Sequence, residues 1–230
     1  MIWLRNGFLA LMGLALALAG CTEQVTKDAT SRILVMGDSM LASHGASGRA
    51  VADVLERELG QEVTDRSVLG ARIIYRLPIS GAAGLNIAKQ YRDGPWDWVV
   101  LNGGGNDLWL GCGCHACDRR LNRLARDGGQ GEIPDLIRRL RDTGARVLYV
   151  GYLRSPGSGS PIESCKDEGD TLEARMAAFA AATPGVTYVS LQDLVPHGDR
   201  SFHGLDMIHP SVKGSAAIAG RIAAAIRDAR

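Results

Sequence analysis

The sequence has almost no excess of charge. Its 26 Lys and Arg face 25 Asp and Glu, a formal net charge of +1. Nothing here forms the basic patch that a nucleic acid or an anionic surface would require. Long apolar runs are scarce too. The longest, Gly7 to Gly20 (GFLALMGLALALAG), falls short of the roughly 20 apolar residues that a membrane span needs. No internal repeat is evident. There is no G-x-x-x-x-G-K-[ST] phosphate loop and no H-E-x-x-H zinc helix. No G-x-S-x-G elbow occurs, which argues against the α/β-hydrolase fold. Gly103-Gly104-Gly105 lacks the following helix pattern and acidic partner of a dinucleotide loop.

What remains is the composition of a globular domain: 230 residues, 46% hydrophobic and 22% charged. The first twenty residues stand apart. Arg5 is their single charge, and the apolar run ends in Leu18-Ala19-Gly20-Cys21. This fits the hydrophobic region of a secretory signal peptide. Its ending resembles the lipobox of bacterial lipoproteins, in which the signal (here 1–20) is cut before a cysteine that is then lipidated, here Cys21. The resemblance implies an exported, periplasmic protein in membrane contact through a lipid at Cys21. Thr22 rather than Asp follows, which matches an outer-membrane rather than an inner-membrane address. Residues 21–31 are polar and aperiodic and read as a tether, with the folded domain at 32–230.

Four further cysteines, Cys112, Cys114, Cys117 and Cys165, read first as two disulfides in an exported chain. The C-x-C-x-x-C spacing with His115 inside it also permits zinc, but an oxidising compartment favours pairing. A Cys112–Cys114 ring is too tight, so one bond is expected from the 112–117 segment to Cys165.

Five apolar segments rich in β-branched residues follow the tether: Arg32–Met36, Val63–Val68, Trp98–Asn102, Arg146–Gly151 and Val186–Leu191. Three are nearly continuous, as parallel strands buried on both faces are. Helical periodicity lies between them, at Gly48–Leu59, Ile133–Arg141, Thr171–Ala182 and Ser211–Arg230. Helix after strand throughout predicts a three-layer α/β/α sandwich on a five-stranded parallel sheet. Spans 103–131 and 152–169 read as long loops and functional rims.

Such a sheet binds ligands beyond the carboxyl ends of its strands. The first strand ends in Gly37-Asp38-Ser39, the second near Leu69-Gly70, and the third in Gly103-Gly104-Gly105-Asn106-Asp107. Each glycine, aspartate or serine alone has ordinary turn and capping uses. Asp206-Met207-Ile208-His209-Pro210 precedes the last helix, and one short turn could hold the imidazole against the carboxylate. A hydroxyl needs such an oriented base to become a nucleophile at neutral pH.

Together, GDSM at 37–40, SVLGAR around Gly70, GGND at 104–107 and DMIHPS at 206–211 resemble the SGNH, or GDSL-type, hydrolase family. Ser39, Gly70, Asn106 and His209 stand at the matched positions, in the family's order, over 32–230. The resemblance implies a flavodoxin-like fold and a serine esterase acting on acyl or acetyl esters, with no metal or organic cofactor. It implies Ser39, His209 and Asp206 as catalytic residues. The oxyanion would meet the N–H groups of Ser39 and Gly70 and the Asn106 amide. Met40, where the family often has Leu, is of similar volume. The cysteine-bearing insert after GGND is this chain's own departure, and it bears on the substrate pocket.

Leu108 and Trp109, just after Asn106-Asp107, fit an acyl pocket or the core equally well, as do Tyr75, Leu77, Pro78 and Ile79. Asp38 and Asp107 read as loop braces. His44 could border the site or simply decorate a helix start. His197 and His203 read as solvated, and Trp96 and Trp98 as structural. The partner expected is a small-molecule, lipid or glycan ester, bound by a monomer. The competing function is a catalytically silent module that binds envelope glycans or lipids.

Overall fold

The computed structural model describes residues 30–229. The leader, Cys21 and most of the tether lie outside the described residues. Five strands, β1 (Ile33–Met36), β2 (Val63–Asp65), β3 (Trp98–Leu101), β4 (Arg146–Val150) and β5 (Val186–Val189), form one sheet in the order β2-β1-β3-β4-β5. Every pairing is parallel, for example Ile33 opposite Trp98 and Trp98 opposite Arg146.

The apolar runs are continuous because both faces of the sheet are covered. Leu34, Met36, Val99, Leu101, Val147 and Tyr149 point into one core. Their alternating neighbours Ile33, Val35, Val100, Leu148 and Val150 point into the other. The second core is closed by α2 (Val51–Leu59), through Val51 and Leu55, and by the last helix, α7 (Val212–Asp228), through Ile218, Ile222 and Ile226. The first core is closed by α4 (Asp118–Leu124), α5 (Glu132–Asp142) and α6 (Lys166–Ala181). One residue in α6 breaks the apolar rule: Glu173 is 1% exposed. Its carboxylate accepts from the Tyr152 N–H, the Tyr188 hydroxyl and Arg154, as a buried charge must.

The span 103–131 is not a loop. It carries α3 (Gly105–Cys112) and α4. Turn chemistry at Gly103-Gly104-Gly105 masked the start of α3, and α4 (DRRLNRL) shows only two apolar residues. The strand read as Val63–Val68 stops at Asp65, whose carboxylate turns back on Ser67. The cysteines pair as Cys112–Cys117 and Cys114–Cys165. Among the described residues no cluster of His, Cys, Asp and Glu could hold a metal ion.

Candidate active site

The order of strands reverses between β1 and β3, the place where open parallel sheets bind ligands. Ser39 opens a one-turn helix, α1 (Ser39–Ala42), directly after β1. Asp38 caps it: Oδ1 accepts the Met40 N–H at 3.0 Å. A buried amide holds the turn from the other side. Gln90 accepts the Gly37 N–H at 2.7 Å and donates at 2.8 Å to both Gly37 O and Gly84 O. Ser39 itself is 9% exposed.

The third strand delivers Asn106 in the first turn of α3. Its Nδ2 donates to Ala71 O at 3.0 Å, and a carboxamide nitrogen carries a second hydrogen for another acceptor. Asp107 accepts the N–H groups of Ile73 and Ile74, both at 2.9 Å. Burial raises its pKa, and those two bonds oppose the rise. The start of α3 is thereby sewn to the segment that follows Gly70. Gly70 has φ +76°, a backbone conformation that disfavours a side chain. It is exposed and lies outside the cavity described below.

Tyr152, just beyond β4, joins the two strand ends. Its hydroxyl donates to Asp38 Oδ2 at 2.6 Å and accepts the Gly105 N–H at 2.8 Å. Glycine at 105 leaves room for this contact: an added Cβ would stand 2.7 Å from the Tyr152 ring and displace it. Burial pushes the Asp38 carboxyl up to about 6, while the bonds from Tyr152 and Met40 oppose it.

His209 arrives from the far end of the chain. Its Nδ1 lies 2.6 Å from Asp206 Oδ2, while Asp206 Oδ1 accepts the N–H groups of Ile208 and His209, each at 3.0 Å. Partial burial raises the Asp206 pKa, but these bonds outweigh it and hold the carboxyl down at about 2. Asp206 is therefore ionised at neutral pH, as an orienter of imidazolium must be. The loop is pinned by Ser160 Oγ, which donates to Met207 O at 2.6 Å. His44 Nε2 donates to Pro210 O at 2.9 Å. His44 thus borders the site as a tie between loops.

Asp38, Ser39, Asn106 and His209 line one cavity of about 730 Å³. Leu108, which is also core, and the partly buried Trp109 line it, with Met40, Leu153, Ile162, Leu172, Val195 and Ile208. Among the described residues no hydrogen bond joins Ser39 Oγ to His209 Nε2. Such contacts commonly tighten only when substrate is bound. A larger, open depression of about 1020 Å³ at residues 119–135 contains none of these side chains.

His197 lines the cavity and is exposed. His203 is not solvated: it is 5% exposed, and burial lowers its pKa. Leu77 and Ile79 are exposed and belong to neither core nor cavity. Trp98 is core with Arg146 stacked over it, and the Trp96 N–H bonds to Arg92 O. Gln90 and Tyr152 had no sequence signal. Each is a single polar side chain outside any motif.

The model of the GDSL-like lipase/acylhydrolase family matches residues 35–217. No match was found among curated proteins. Among solved structures, a protein from Slackia heliotrinireducens proposed to be an SGNH hydrolase aligns with TM-score 0.61 at 20% identity, over 86% of this chain and 99% of its own. The lipase Lip_vut3 from a goat rumen metagenome aligns with TM-score 0.59 at 17% identity, over 84% and 96%. The acetyl xylan esterase AlAXEase aligns with TM-score 0.58 at 14% identity, over 84% and 98%. At these identities the structural likenesses bear on the fold. The family match covers most of the chain, including both the Ser39 turn and the Asp206–His209 loop, and by it this chain belongs to the SGNH, or GDSL-like, family of ester-hydrolysing enzymes.

Proposed function

We propose that Ser39, His209 and Asp206 form the catalytic triad of a carboxylic-ester hydrolase. In this reading Ser39 Oγ attacks the acyl carbonyl while His209 Nε2 takes its proton. Asp206, ionised and bonded to Nδ1, holds the tautomer and stabilises the imidazolium. The oxyanion accepts from the Ser39 N–H, the Gly70 N–H and the second Asn106 Nδ2 hydrogen. The leaving alkoxide takes the proton back from His209, and water repeats the sequence on the acyl-enzyme.

One observation carries the proposal: His209, hydrogen-bonded to Asp206, lines the same cavity as Ser39. A silent binding module has no use for an imidazole held in this way. Leu108 and Trp109 then contact the acyl group. The chain acts as a monomer on a lipid, glycan or small-molecule ester. It is exported to the periplasm and lipid-anchored at Cys21, at the outer membrane. A Cys21→Ser protein should leave the membrane fraction, and one that stays there overturns the anchor.

The test is turnover of p-nitrophenyl acetate and butyrate by wild type and Ser39→Ala. Wild-type turnover should exceed that of the variant by at least about 10³-fold, since a missing triad member typically costs more. Equal rates would reject the enzyme reading in favour of the binding module.

A further inference from the structure

The cysteine insert does more than staple a surface. Cys165 lines the cavity and sits at the N-terminal end of α6, the helix whose first two turns form one wall through Lys166, Gly169, Asp170 and Leu172. Cys114 lies just past the end of α3, whose Asn106, Leu108 and Trp109 form the facing wall. Gly113 and Cys114 both have positive φ, +65° and +55°. This left-handed pair turns the chain out of α3 and sends Cys114 to its partner, 51 residues away. The backbone conformation is costly for a non-glycine residue, so the bond is reached against local preference. Between β4 and α6 the chain has only one short 3-10 turn, Glu163–Cys165. The disulfide is the covalent link between that end of α6 and the end of α3, beside the Arg154–Asp170 ion pair and the packing of Leu108 and Leu172 in one core.

We propose that the Cys114–Cys165 disulfide is a specificity determinant: it sets the spacing of the two cavity walls and so selects for acyl chains long enough to contact both. This rests on the reading of Ser39 as nucleophile, which places the acyl group in this cavity. On this reading an octanoyl chain would extend along Leu108, Trp109, Ile162 and Leu172, which line the cavity, whereas a two-carbon acetyl group would stay beside Ser39. Opening the clamp removes contacts that only the longer chain makes. The Cys112–Cys117 bond lies within the α3 side alone and leaves the spacing intact.

The experiment measures kcat/KM for p-nitrophenyl octanoate and acetate in wild type, in Cys114→Ala/Cys165→Ala, and in Cys112→Ala/Cys117→Ala. The octanoate-to-acetate ratio should fall at least fivefold in the first variant and stay within twofold in the second. An unchanged ratio, or both esters falling in parallel, overturns the clamp. Should the first variant not fold, stepwise reduction of the second, which keeps only the clamp, replaces it. The ratio should then fall with the fraction of protein reduced, and a constant ratio overturns the proposal. If wild type hydrolyses neither ester, the nucleophile reading has failed. The clamp is then judged on binding of a fluorescent C12 fatty acid, which should weaken at least fivefold when Cys114–Cys165 is lost. Equal affinity overturns it.

Discussion

Tyr152→Phe removes one oxygen atom and keeps the ring that packs against Gly105. That oxygen has two partners. It donates to the buried Asp38 carboxyl at 2.6 Å and accepts the Gly105 N–H at 2.8 Å. A hydrogen bond to a charged group contributes about 1.5–3 kcal/mol, and a buried N–H left alone costs about 1–3 kcal/mol. Since the two effects share one site and are not additive, we expect a net loss of about 2–4 kcal/mol. For a chain of this size each kcal/mol moves Tm by about 2–4 °C, so Tm should fall by about 5–15 °C. Activity should fall as well, because Gly105 immediately precedes Asn106. A deleted oxyanion donor costs about 10²–10³ in kcat. A displaced one should cost less, about 10–100-fold, with KM nearly unchanged. The pH arm has a definite sign. The folded pKa of Asp38, about 6, lies above its unfolded value. Stability from the protonated carboxyl is therefore present below pH 4 and is lost as pH rises through about 6. Without the tyrosine hydroxyl the folded pKa rises further, and the decline should extend to higher pH. Thermal melts from pH 4 to 8 and steady-state ester kinetics measure both arms. Wild-type Tm together with wild-type kcat would refute the view that Tyr152 couples the two strand ends.

Asp38→Asn removes the titration and leaves an acceptor for the Met40 N–H. Its Tm should vary less between pH 4 and 6 than that of wild type, and an identical pH profile would assign that titration elsewhere. Gln90→Ala deletes three buried hydrogen bonds and should cost about 3–4 kcal/mol, read as a lowered urea midpoint at unchanged slope. A midpoint equal to wild type would mean the nucleophile turn needs no such brace. Asp206→Asn loses the ionised orienter of His209 and should reduce kcat by about 10³–10⁴-fold. A loss under tenfold would remove Asp206 from the triad.

The sheet was legible because its inner strands bury both faces, which forces continuous apolar runs such as Ile33–Met36 and Trp98–Leu101. The placement of Ser39 and Asn106 at adjacent strand ends followed from topology, since both leave the sheet at its switch point. What escaped the sequence was held by tertiary contacts. The start of α3 looks like a glycine turn until Asp107 is seen bonding across to Ile73 and Ile74. His203 sits in a polar stretch with no periodicity, yet it is 5% exposed and its backbone bridges Pro210. Gln90 reaches Gly37 and the Tyr152 hydroxyl reaches Asp38 and Gly105 across more than 40 residues of chain, which no local pattern encodes.

The central claim is that Ser39 is the nucleophile. A fluorophosphonate reacts covalently with an activated serine, and peptide mass spectrometry locates the adduct. One adduct, on the peptide containing Ser39, should appear in step with the loss of ester turnover. An adduct on another serine, or full turnover with Ser39 modified, would contradict the account.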